Sequence, residues 1–184
     1  ADAWRAQAAK ADISAMALAN AARFFKLSDK EFTMSLLDRG HTLEPDNKEI
    51  SARLGDVYAL AIMGVTMVNG NGYPLASDPR LIQSAAAQQA RKALTISPNP
   101  YALAKAGYML SWQGAVLYNS RKLDFDPSPL AEGALLRAVS LAPGDRDIAY
   151  LMNEFRETQR LRGVAAAPRG VPPGMPPQVA APNS

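Results

Sequence analysis

Residues 86–98 read Ala-Ala-Gln-Gln-Ala-Arg-Lys-Ala-Leu-Thr-Ile-Ser-Pro, and within them Ala86, Ala90 and Ala93 are followed by Pro98. The same spacing recurs upstream as Thr33, Leu37, Gly40 and Pro45, and downstream as Ala131, Leu135, Ala138 and Pro143. Steps of four and three residues set the first members of each copy on one helix face, and the proline marks where that helix has ended. Recurrence of one helix ending along a single chain predicts a helical repeat, in which each unit covers the apolar face of its neighbour.

Ahead of the middle copy stand Leu54, Gly55 and Tyr58, and Asn20, Ala21 and Phe24 occupy the same slots 34 residues earlier. A third match is Ala106, Gly107 and Leu110, with Leu103 upstream of it. On these residues the chain resembles the tetratricopeptide repeat family, whose period is 34 residues. The resemblance implies an all-α fold: a right-handed α-α superhelix of about three helix pairs with a C-terminal capping helix. No copy is complete. After Tyr58 the expected alanine arrives late, at Ala86, and after Leu110 it arrives late, at Ala131, so both helix-to-helix loops are stretched. Gly55, Ala86, Gly107 and Ala131 are expected at helix crossings, where small side chains let two backbones approach, with Tyr58, Leu110 and Leu135 filling the holes beside them.

Helix punctuation follows the same frame. Ser28 with Glu31 and Asp46 with Glu49 read as capping boxes, and Asp78-Pro79, Asn99-Pro100 and Ser128-Pro129 each set a cap residue before a proline. These marks predict seven helices at about 2–26, 29–43, 47–68, 79–96, 100–118, 128–141 and 145–162, and no strand. The first is longer than one repeat needs, and its alanine-rich start with Trp4 is read as an N-terminal cap. Residues 1–162 form the repeat domain. Residues 163–184 carry six prolines and one charge, Arg169, and read as an extended or disordered tail.

Composition narrows the function classes. The chain has 184 residues, 48% of them apolar and 20% charged, which is ordinary for a globular domain. Its formal charge of +3 is spread without a lysine or arginine block, so nucleic acid is not an expected partner. No apolar run is long enough to span a membrane. With no cysteine and one histidine, thiolate chemistry and nearly all zinc geometries are excluded, and no metal or cofactor is expected. His41 is read as complementing the C-terminal dipole of its helix. The start at Ala1-Asp2-Ala3 suits a mature end after signal cleavage and equally a trimmed boundary; an extracytoplasmic location, periplasmic or secreted, is expected, and the cytoplasm stays open.

In the family, first helices line a concave groove for extended peptides. Helical spacing then sets Leu18, Ala22, Phe25 and Lys26, followed by Glu49, Ala52, Asp56 and Ala59, and Tyr101, Ala104, Tyr108, Ser111 and Trp112 on that groove. The terminal-carboxylate clamp of the family's chaperone-binding members is missing, because acidic and small residues stand in its places. Phe25, Lys26, Asp56, Tyr101, Tyr108 and Trp112 are the groove candidates, although packing between repeats is the preferred reading for Trp112. Loop candidates are Tyr73 in Asn69–Pro74 and Arg121, Lys122 and Phe125 in Asn119–Pro127, since long loops on a rigid scaffold carry contacts. Asp124 and Asp126 lack the twelve-residue ladder of a calcium loop. No catalytic pair stands out, and the expected role is a non-catalytic interaction scaffold or accessory subunit that binds another protein or peptide, within a multi-subunit complex. The alternative is a structural subunit tethered to its partners by the N-terminal helix and the tail.

Overall fold

The computed structural model describes residues 1–66 and 76–166, so Tyr73 and the tail beyond Ala166 lie outside the described residues. The chain is mostly helical, in the order α1 Asp2–Ala8, α2 Ala15–Phe25, α3 Lys30–Leu43, α4 Lys48–Ile62, β1 Val65–Thr66, β2 Ala76–Ser77, α5 Pro79–Ile82 and α6 Ala85–Ile96. There follow α7 Pro100–Met109, a π-helical turn Leu110–Gly114, α8 Ala115–Asn119, α9 Ser128–Leu141 and α10 Arg146–Ala166.

Two expected helices are interrupted. The span 2–26 breaks into α1 and α2, because Ser14 takes an extended conformation and its Oγ accepts from the Ala17 N–H, starting a new helix. Arg39 of α3 holds the break by donating to the carbonyls of Ala8 (2.7 Å) and Lys10 (2.6 Å), which the end of α1 leaves without helical partners. The span 79–96 likewise breaks at Gln83 and Ser84, where Ser84 caps α6 and Arg91 donates to the freed Ile82 carbonyl at 3.0 Å.

Several ends also move. Asp29, not Ser28, caps α3, and Asn47, not Asp46, caps α4, each accepting from N–H groups of the first turn. Asp126 accepts from the Ser128 N–H at the start of α9, and only Asp78 and Asn99 cap where the proline pairs predict. α4 stops at Ile62, since Gly64 turns with φ +59° into a two-residue antiparallel ladder, Val65 opposite Ser77 and Thr66 opposite Ala76, where no strand was expected. α10 continues through Gly163 to Ala166.

The core is one continuous cluster built from Leu18, Leu37, Leu54, Leu103, Leu135 and Ile148, all essentially sealed from solvent. α2 packs on α3, α4 on α3, α6 and α7, α7 on α9, and α10 on α7 and α9. Gly55 and Gly107 make two of these contacts possible. A Cβ on Gly55 would lie 2.3 Å from the Ala102 carbonyl oxygen of α7, and one on Gly107 would lie 2.7 Å from Leu135 Cγ and 2.8 Å from the Ala131 carbonyl oxygen of α9. Gly55 therefore serves the crossing of α4 with α7, and Gly107 the crossing of α7 with α9.

Polar groups tie the starts of these helices together. Tyr101 donates to Asp145 at 2.5 Å, while Lys48 reaches Asp147 at 2.8 Å and sits 4.5 Å above the Tyr101 ring, so α4, α7 and α10 share one fastening. The Tyr101 hydroxyl holds Asp145 well below the usual carboxylate range. Deeper in, Asn99 caps α7 through Ala102 and donates to Ser51 at 3.0 Å, and Ser51 Oγ lies 3.3 Å from His41 Nδ1. His41 thus stands in the last turn of α3, joined to α4 by a buried serine.

Candidate functional site

Between α2 and α4 the helices stand apart. α4 lies flush on α7 but makes no comparable contact with α2, and the two are bridged by Arg53 Nη1 donating to the Ala19 carbonyl at 3.3 Å. The gap is a cleft of about 270 Å³. Its floor is apolar, with Ala22 from α2, Leu37 from α3 and Val57 from α4. Arg23, Lys26 and Arg53 stand around it with one acid, Asp56. Arg53 is committed to Glu49 at 2.6 Å, whereas Arg23 and Lys26 have no ion pair or hydrogen bond among the described residues.

Asp56 is the electrostatic oddity of this cleft. Its Oδ1 is out of reach of solvent and accepts no hydrogen bond among the described residues, with Lys105 Nζ 3.8 Å away. Burial pushes its carboxyl above the ordinary carboxylate value, and the positive charges of Lys105 and Lys26 pull the other way without cancelling it. The arrangement offers charge and apolar surface to a ligand but no nucleophile with a base. Among the described residues no group of histidine or carboxylate side chains is placed to hold a metal ion.

The groove candidates divide. Lys26 and Asp56 meet at this cleft. Phe25 does not: it is 3% exposed, packed edge-on against Phe24 and Phe32, with the Arg5 guanidinium 4.9 Å from its ring. Leu18, Ala59, Ala104 and Ser111 are buried too, and so belong to the core and not to a groove face. Tyr101 is half-buried and its hydroxyl is engaged by Asp145. Tyr108 is half-buried beneath Lys105, whose Nζ lies 5.7 Å from the ring. Trp112, for which inter-repeat packing was preferred, is instead 58% exposed on the π-helical turn.

Among the loop residues, Arg121 and Lys122 are exposed, Arg121 with φ +56°. Phe125 is half-buried against the core with the Arg91 guanidinium 5.2 Å from its ring. The rim residues Arg23 and Arg53 escaped sequence reasoning through an error of phase. The cleft takes Ala19, Ala22, Arg23 and Lys26, a run of steps 3, 1 and 3, where the expected face began at Leu18.

No protein-family model matches this chain, and no curated protein or solved structure matches it either. No helix among the described residues is long and apolar enough to cross a membrane.

Proposed function

We propose that the protein is a non-catalytic interaction module, a tetratricopeptide-like right-handed superhelix of about three helix pairs, with α10 as the capping helix. In this reading α2 with α3, α4 with α6, and α7 with α9 are the pairs, and α2, α4 and α7 are the first helices that line the concave side. The module belongs to a larger assembly and holds an extended segment of another protein, with an extracytoplasmic location as the preferred setting.

The observation that carries this reading is the α2–α4 cleft: an apolar floor, two uncommitted cations at its rim and a carboxylate already opposed by Lys105. Such a rim favours a segment with an acidic side chain beside a small apolar one. Selection of a random peptide library on the full chain tests it. The expected result is enrichment of acidic-apolar peptides whose binding weakens about tenfold or more in Arg23→Glu and Lys26→Glu, since each reversal sets like charges together. Failure to enrich any peptide, or binding that both variants leave intact, would remove the cleft as the recognition site.

A further inference from the structure

Where the start of α3 meets the end of α4, α5 and the start of α6, a cleft of about 310 Å³ opens. Among the described residues Leu27, Ala61 and Leu81 give it an apolar side, and Ser28, Asp29, Lys30, Glu31, Ser84 and Ala86 border the rest. It has room for about ten water molecules, and so for a ligand of about that many non-hydrogen atoms.

Lys30 is the anomaly of this cleft. It is 9% exposed, yet it has no ion pair or hydrogen bond among the described residues. A lysine is seldom so buried without a partner, because its charge loses water and gains nothing in return. Burial accordingly pulls its amine below the ordinary lysine value. Among the described residues the unpartnered side-chain atoms that solvent cannot touch are Asp56 Oδ1, Ser77 Oγ and Gln159 Nε2. Lys30 Nζ is not one of them, so its amine opens on the cleft.

Two helix starts border the same space. In α3 the Asp29 side chain takes the Phe32 N–H and the Asp29 carbonyl that of Thr33, so the N–H groups of Lys30 and Glu31 lie ahead of the first helical bond. In α6 Ser84 does the same for Ala87 and Gln88, which leaves Ala85 and Ala86. The helices are 14 and 12 residues long, each with the positive pole of its dipole at this end, and α6 has no acidic residue in its first turn. The Ser28 hydroxyl, held only by a bond of 3.4 Å to the Phe25 carbonyl, is a further donor. Two carboxylates limit the charge of a ligand. Asp29 is spent on Arg5 at 2.7 Å, whereas Glu31 is exposed without an ion pair among the described residues and would repel a second negative charge. One negative charge therefore suits the site, with a short carbon chain behind it for the apolar side.

We propose that this cleft binds a small monocarboxylate, its carboxylate on Lys30 Nζ and the free N–H groups at the start of α6, and its carbon chain against Leu27, Ala61 and Leu81. The site shares no residue with the α2–α4 cleft and does not depend on what that cleft binds. Butyrate, 1-butanol and inorganic phosphate, each titrated into the isotope-labelled full chain, test it by nuclear magnetic resonance. Butyrate is expected to shift the Lys30 side chain and the Ala86 amide saturably, with butanol and phosphate about tenfold weaker or more. Lys30→Met should weaken butyrate about tenfold or more, the loss of a bond to a charged donor. That variant should melt no lower than the parent, since the amine it removes is buried and unpaired. Glu31→Gln should bind butyrate severalfold more tightly, as a repelling charge is gone. Butyrate binding that Lys30→Met leaves intact, or no saturable shift at Lys30 and Ala86, would overturn the site. Butanol or phosphate binding as tightly as butyrate would overturn the assignment of its ligand.

Discussion

A Cβ at Gly107 would enter α9 at Leu135, while one at Gly133 of α9 would meet no atom within 4 Å. The two glycines therefore answer the addition of a side chain with opposite signs. Gly107→Leu should destabilise by at least about 1–3 kcal/mol through overpacking. Gly133→Ala should stabilise by roughly 0.5–1 kcal/mol, because alanine is the better helix former at an open position. Denaturant unfolding of both variants checks the pair, and a stable Gly107→Leu would show that α7 and α9 do not cross there. Asp56 makes a pH prediction. Its folded carboxyl binds a proton more readily than the unfolded one, so its charge opposes folding only as pH rises above the unfolded value of 3.8. Asp56→Asn is expected to melt higher than the parent at neutral pH, with the advantage fading as pH falls through the raised folded value towards 3.8 and gone below it. An advantage that is constant with pH would show that the carboxylate charge is not the cause.

Helices and their order were legible in the sequence because prolines and cap residues are local signals. Asp78 and Asn99 cap as their following prolines predict, and the recurrent alanines and glycines lie buried except Ala93, which is half-buried. The interruptions were not legible, and they have a shared physical reason. At the end of α1, at Ile82 and at Ser111 inside the π-helical turn, a backbone carbonyl accepts from a guanidinium: Arg39, Arg91 and Arg162 respectively. Two of these arginines come from other segments, 31 and 51 residues away, so no local window contains the cause. The candidate cleft failed in part for a related reason, since one residue of helical phase separates a floor such as Ala22 from a rim such as Arg23. Arg39→Ala should release α1 selectively. Hydrogen exchange is expected to accelerate across residues 2–12 with a stability loss of about 1–2 kcal/mol, in the range for hydrogen bonds from a charged donor. Unchanged protection of α1 would mean that its packing alone holds it.

Among the described residues, α4 and α7 touch more elements than α1 or α10 do, and a close backbone approach at Gly55 joins them. Native-state exchange should therefore grade outwards, slowest in α4 and α7 and fastest in α1 and the end of α10, as in arrays whose units depend on their neighbours. A flat profile, or one slowest in α1, would contradict that order. The π-helical turn Leu110–Gly114 has a consequence for how such a molecule changes over generations. It lodges an extra residue inside a rod, as a dislocation lodges a partial row inside a crystal, and the wider turn absorbs it, so the later side chains face as they would in a rod one residue shorter. Removing one residue from the turn restores ordinary winding, and Leu117 keeps its place in the core while the rod survives. A single codon lost at this spot would tighten the rod without re-aiming either end of the protein.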